Sequence, residues 1–205
     1  MKSLIVVDIQ NDFCEGGALA VKDAQKIIPV ANRVITFFNE NNYLTIATMD
    51  WHPATHKSFA INSNGKVGEV GILNGLPQVW WPAHCVQKSH GAEFHPELIK
   101  ISNIIYKGTD SEIDSYSGFF DNGKLKSTEL LSLLKENNIT ELFVLGLATD
   151  YCVKYTVLDA LELGFKVNVI EDGCRGVNLL PNDSINAIKE MQEKGANIIK
   201  SDDLF

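Results

Sequence analysis

The apolar residues of this chain fall into short runs that alternate with helical patterns. Six runs, rich in β-branched side chains, have the length and composition of strands buried on both faces. They cover residues 4–7, 44–49, 104–106, 142–145, 167–170 and 198–199. Strands that alternate with helices predict an α/β fold with a mainly parallel sheet.

Apolar residues recur at helical spacing between most of these runs. The clearest pattern extends from Ile27 to Phe38, and a second covers residues 130–134. Further helices are predicted near 151–163 and 182–194, because Gly164 and Gly195 follow them and glycine after a periodic run ends a helix.

The segment from about 51 to 96 follows neither pattern. It is rich in Gly, Pro and His, and it contains all 3 tryptophans of the chain. A loop longer than about 15 residues in a compact domain is usually functional or disordered, and the aromatic content disfavours disorder. We expect one domain over residues 1–205, with this segment as a folded excursion that covers a site.

Four chemically reactive residues follow predicted strands. Asp8, Asp50 and Lys107 come directly after the first three strands, and Cys152 follows the fourth after a short turn. An Asp at such a place is more often a cap or turn residue. Because parallel sheets bind ligands beyond the carboxyl ends of their strands, however, the joint occurrence predicts a site there.

Cys152 lies where a strand gives way to a helix, so the helix dipole favours its thiolate. An ordinary thiol is only a few per cent ionised at neutral pH, so a neighbouring cation and base matter. Lys107 and Asp8 are candidates for these two roles. A lone cysteine is more often a small buried apolar residue, and this is our interpretation of the other three, Cys14, Cys85 and Cys174.

Asp50 and His52 are two residues apart in an extended segment, so their side chains point the same way. A metal site needs at least one further ligand. Spacing alone does not choose among His56, His84, His90 and His95. A carboxylate with neutral imidazoles suits Zn, Mn or Fe(II).

The net charge of −8 disfavours binding to nucleic acid or to anionic membrane surfaces. No run approaches the roughly 18 apolar residues of a membrane span, and the first apolar run is too short for a signal peptide. We therefore expect a cytoplasmic protein whose cysteines are reduced, with a small molecule as its partner.

Several motifs together resemble the nicotinamidases, within the isochorismatase-like hydrolases. They are VDIQNDFC (7–14), DWHP (50–53), WPAHC (81–85), YKG (106–108), GLATDYCV (146–153) and DGCRG (172–176). The resemblance implies a three-layer α/β/α sandwich with a six-stranded, mainly parallel sheet. It also implies hydrolysis of nicotinamide to nicotinate and ammonia in NAD salvage, activity on pyrazinamide and a homo-oligomer.

The resemblance also implies residue roles. The catalytic triad is Asp8, Lys107 and Cys152. The ligands of one divalent metal, Zn with Fe or Mn as alternatives, are Asp50, His52 and His84, with His56 a further ligand in some members. A cis peptide before Ala148 turns the amides of Ala148 and Cys152 toward an oxyanion, and Phe13, Leu19, Trp81 and Tyr116 enclose the substrate ring.

The expected reaction is attack of Cys152 on the carboxamide, with Asp8 as proton acceptor and a thioester intermediate. Alternatives are another cysteine amidase or carbamoyl hydrolase of the same superfamily, a binding protein that has lost the reaction, and a thiol redox protein. The last is disfavoured because no second cysteine lies near Cys152 in sequence.

Overall fold

The computed structural model describes residues 1–205. The strands are β1 (Lys2–Val7), β2 (Leu44–Asp50), β3 (Val70–Leu73), β4 (Leu76–Val79), β5 (Asn103–Lys107), β6 (Glu141–Leu147), β7 (Lys166–Arg175) and β8 (Asn197–Ile199). The helices are α1 (Ile28–Glu40), α2 (Ala60–Ser63), α3 (Leu130–Glu136), α4 (Lys154–Glu162) and α5 (Asp183–Glu193).

Six of the strands form one parallel sheet, in the order β5-β2-β1-β6-β7-β8. Each of the six predicted runs is one of these strands. The four apolar residues of β1, Leu4 to Val7, are completely buried, as expected for a central strand covered on both faces.

Helices flank this sheet and give the predicted three-layer arrangement. In α1 the buried residues Ile28, Ala31, Val34, Ile35 and Phe38 recur at helical spacing and face the core. No helix combines the length and the apolar character required to cross a membrane.

The excursion after β2 is folded. It contains α2 and an antiparallel hairpin of β3 and β4. The Gln10 side chain ties it to the sheet, because its amide nitrogen donates to the carbonyls of Asp50, at 2.8 Å, and Ala92, at 2.9 Å. Its oxygen accepts the Asp50 amide at 2.8 Å. The ends of β1 and β2 and the excursion therefore meet at one point.

Candidate active site

Lys107 is the centre of a buried polar cluster at the carboxyl edge of the sheet. Its ammonium lies 2.9 Å from Asp8 Oδ2, pairs with Asp50, and donates to Cys152 Sγ at 3.3 Å. Asp8 also accepts a hydrogen bond from Thr48 at 2.6 Å. The four residues that follow predicted strands are thus brought together.

Local backbone conformation aims two of these side chains. Asp8 has a φ of 48°, in the left-handed region that Asp tolerates better than most residues, so the chain turns sharply as β1 ends. Cys152 lies on a π-helical turn, Thr149–Val153, between β6 and α4. The preceding Leu147–Ala148 peptide bond is cis, in agreement with the resemblance.

Asp150 fixes the turn that carries Cys152. Its buried carboxylate accepts the backbone amides of Val177, at 2.9 Å, and Asn178, at 2.7 Å. The segment after β7 is thereby held against the turn, and Val177 reaches the cavity beside Cys152.

Burial controls the ionisation of the cluster. It raises the pKa of Cys152 well above the ordinary value, although Lys107 opposes the shift. The resting group is therefore a thiol, whereas the helix dipole alone predicts a thiolate. Burial also raises the pKa of Asp8 against the effect of Lys107, while Lys107 and His52 outweigh burial and hold the pKa of Asp50 well below its usual range. Asp8 is consequently the more basic carboxylate.

Asp50, His52 and His84 form a compact donor set, with their candidate ligand atoms within 4.8 Å of one another. Nε2 of His52 lies 3.4 Å from Asp50 Oδ2, and Nε2 of His84 lies 3.7 Å from the same oxygen. Sequence spacing left four histidines open as the third member of this set, and the structure brings His84 to it.

The tautomers of both histidines suit metal binding. Nδ1 of His52 lies 2.9 Å from the Gly108 carbonyl, and Nδ1 of His84 lies 2.8 Å from the Pro82 carbonyl. Because carbonyls only accept hydrogen bonds, each Nδ1 carries a proton, and the neutral form of each ring offers its Nε2 lone pair to a metal. Lys107 is the one ammonium beside the two carboxylates Asp8 and Asp50, so a divalent cation would also offset negative charge.

His56 is buried beside His52 but lies outside this donor set. Its Nδ1 accepts the Ser58 amide at 3.1 Å, and its candidate ligand atom groups with those of His52 and Asp114. Burial, aided by the charge of His52, lowers the pKa of His56 to about 4. His56 is therefore neutral at pH 7, and its role as a further metal ligand stays a prediction.

Acidification is expected to lower the free energy of unfolding of the native protein by more than it lowers that of a His56→Gln variant. The unfolded histidine titrates near 6.5 and the folded one near 4, so the unfolded state holds more protons between these values. The contribution of His56 is fully present well above pH 6.5 and falls by about 1.5 kcal/mol between pH 6.5 and 5. Urea unfolding of both proteins at pH 6.5 and at pH 5 measures this loss of stability. Parallel losses in the two proteins would contradict the assignment.

A small cavity adjoins the cluster. Its lining consists of Phe13, Leu19, Asp50, Trp81, His84, Asp114, Tyr116, Ala148, Tyr151, Cys152 and Val177. The four residues that the resemblance places around the substrate ring are all present. The Tyr116 hydroxyl accepts hydrogen bonds from Trp81 Nε1 and Gln78 Nε2, each at 3.1 Å, which fixes one wall.

Sequence reasoning missed three members of this lining, namely Asp114, Tyr151 and Val177. Tyr151 precedes Cys152 directly, and that adjacency was the available signal. Asp114 and Val177 belong to irregular segments whose path no hydrophobic pattern predicts. Asp114 is buried and accepts Gln78 Nε2 at 2.9 Å.

Comparison with known proteins finds close relatives. The chain is 52% identical over 199 residues to a nicotinamidase of Escherichia coli strain K12, with 96% of this chain and 93% of the relative covered. The solved structure of an Acinetobacter baumanii nicotinamidase and pyrazinamidase has a TM-score of 0.94 at 44% identity, with 100% of this chain and 98% of that chain covered.

A pyrazinamidase of Pyrococcus horikoshii, solved in complex with zinc, has a TM-score of 0.82 at 39% identity, with 97% of this chain and 98% of that chain covered. The predicted resemblance to nicotinamidases and the predicted fold are confirmed. The sequence profile described as the isochorismatase domain matches residues 2–203. Because that match extends over nearly the whole chain, the protein belongs to the isochorismatase family.

Proposed function

We propose that the protein hydrolyses nicotinamide to nicotinate and ammonia, as an amidase whose nucleophile is Cys152. The observation that carries the proposal is the position of the Cys152 thiol. It contacts Lys107 at 3.3 Å, lies within 4.8 Å of an Asp8 oxygen, and lines the aromatic cavity. The similarity to nicotinamidases supports this choice of amide, and activity on pyrazinamide is part of the proposal.

Asp8 accepts the thiol proton while Sγ of Cys152 adds to the carboxamide carbon. The raised pKa of Asp8 suits it to this role. The backbone amides of Ala148 and Cys152 stabilise the oxyanion. Asp8 then delivers the proton to the departing ammonia, and the carbon–nitrogen bond breaks to leave a thioester. A water molecule that gives a proton to Asp8 hydrolyses the thioester and restores the thiol.

Lys107 keeps this cluster ionised and ordered. It is fully buried between Asp8 and Asp50, whose attraction raises its pKa well above the ordinary value despite burial. Its ammonium therefore stays charged and lies 2.9 Å from Asp8, which orients the carboxylate toward the thiol. Lys107 acts in this mechanism as a positioning and charge-balancing group.

Asp50, His52 and His84 would hold one divalent metal, for which we propose Zn, with Fe or Mn as alternatives. When bound, the metal supplies a Lewis acid for the pyridine nitrogen and so orients the ring. The zinc complex of the related pyrazinamidase supports this choice. A cytoplasmic location and a homo-oligomer stay predictions.

An ammonia-release assay on nicotinamide, pyrazinamide and a panel of small amides and carbamoyl compounds tests the proposed function. We expect the highest kcat/KM on nicotinamide. Preferential release from a carbamoyl compound would instead identify another hydrolase of the same superfamily. Absence of release from every compound would favour a binding protein.

Removal of the metal is expected to lower kcat/KM on nicotinamide by at least about tenfold, because the ring loses its orienting ligand. The measurement compares dialysis against a chelator with dialysis against buffer alone, followed by metal analysis. Addition of Zn should restore activity to the native protein but not to a His84→Ala variant. Full activity in metal-free protein would remove the metal from the proposed function.

A further inference from the structure

The cavity beside Cys152 is small, with a volume of about 20 Å³. This is room for about one water molecule, which fills roughly 10–15 Å³ on the same kind of measure. A much larger cleft of about 330 Å³ lies next to it and is lined by residues of β4, of the start of α4 and of α5. An aromatic amide can therefore enter the cavity only after a side chain moves.

Two residues, Tyr116 and Tyr151, line both the cavity and the cleft. They form part of the boundary between the two spaces. Other side chains of the cleft, such as Lys154, Asn186 and Glu190, do not reach the cavity. Displacement of either tyrosine would join the two spaces.

The side chains of the two tyrosines differ in their hydrogen bonds. The Tyr116 hydroxyl accepts two hydrogen bonds, and its ring stacks on Tyr155 with centroids 5.4 Å apart. The Tyr151 hydroxyl makes no hydrogen bond with the chain, and its ring makes edge contacts with Trp81 at 4.9 Å and Tyr116 at 5.3 Å. Rotation of the Tyr151 side chain therefore breaks no hydrogen bond, whereas displacement of Tyr116 breaks two.

We infer that the Tyr151 side chain rotates to let substrate enter the cavity from the cleft. In its closed position it limits the size of the amide that the cavity accepts. The limit on the size of the amide rests on the proposed function. The substrate class is single-ring aromatic carboxamides. Fused-ring or aryl-substituted amides are excluded because their extra ring would occupy the space of the Tyr151 side chain.

The first test compares kcat/KM for quinoline-3-carboxamide and for nicotinamide. In Tyr151→Ala the ratio of the two values should rise at least about tenfold over the native ratio, an effect expected when a pocket gains the volume of a ring. Tyr151→Ser provides a second variant in case the first folds poorly. Tyr151→Phe keeps the ring, and Asn186→Ala widens only the cleft, so both should keep the native ratio.

The second test needs no turnover. It compares alkylation of Cys152 by iodoacetamide and by the bulkier N-phenyl iodoacetamide, followed by mass spectrometry. The relative rate of the bulky reagent should rise in Tyr151→Ala and Tyr151→Ser but not in Tyr151→Phe.

Unchanged alkylation ratios in both small variants would overturn the inference. It would also be overturned if Leu19→Ala raised the ratios and the Tyr151 variants did not, since entry would then lie beside Leu19. Failure of the native protein to hydrolyse nicotinamide would reject the proposed function alone, because the alkylation result stands independently.

Discussion

Replacement of Cys152 with alanine should lower kcat for nicotinamide hydrolysis by at least about a thousandfold, the scale seen when a nucleophile is removed from a catalytic unit. Cys152 is the thiol that contacts Lys107 and lines the cavity, so its removal leaves the cavity without a nucleophile. The assay is ammonia release at saturating substrate. Metal content should stay native, because Cys152 is not part of the donor set of Asp50, His52 and His84.

Cys174→Ala is the matched control. Cys174 is also buried, but its thiol donates to the Ile170 carbonyl at 3.4 Å on β7, away from the cavity. This variant should keep native turnover. A Cys152→Ala enzyme with more than a tenth of native kcat would rule out the proposed nucleophile.

Replacement of Lys107 with methionine is expected to lower the free energy of unfolding by about 3 to 5 kcal/mol, the usual effect of breaking a buried ion pair. The reason is that Asp8 and Asp50 would remain buried without their ammonium. Turnover should be lost as well, since Asp8 would no longer be held as an ionised base. Urea unfolding monitored by tryptophan fluorescence gives the stability, and ammonia release gives the activity.

A double variant separates charge imbalance from lost packing. Asp8→Asn together with Lys107→Met removes one negative and one positive charge, so it should be more stable than Lys107→Met alone. The surface control is Lys57→Met, whose solvent-exposed ion pair with Glu112 should contribute little to the free energy of unfolding. Native stability in Lys107→Met, or a double variant no more stable than the single one, would contradict the assignment.

The strands were predictable because they are covered on both faces, which leaves a continuous apolar run in the sequence. The same signal fails at the end of β7. The strand continues to Arg175, past Glu171 and Asp172, although its apolar run ends at 170. The helix predicted from 151 begins at Lys154, because a π-helical turn precedes it. Local hydrophobic patterns do not register such backbone irregularities.

Some residues of the candidate site were likewise predictable from the sequence, and others were not. Asp8, Asp50 and Lys107 were predictable because strand ends converge at one edge of the sheet. His84 was not predictable from spacing, because it reaches the site through an excursion that carries no periodic pattern, and the choice depended on the family resemblance. Tyr151 was missed because its importance depends on two cavities that exist only after folding.

The Gln10 side chain has a consequence for how the protein opens. It closes a ring of hydrogen bonds with both backbone groups of Asp50 and with the Ala92 carbonyl. Fraying of the excursion would break this ring and leave buried polar groups without partners, which is costly. The metal donors and the central strands therefore behave as one cooperative unit in hydrogen exchange, with the Asp50 amide protected as strongly as the sheet interior.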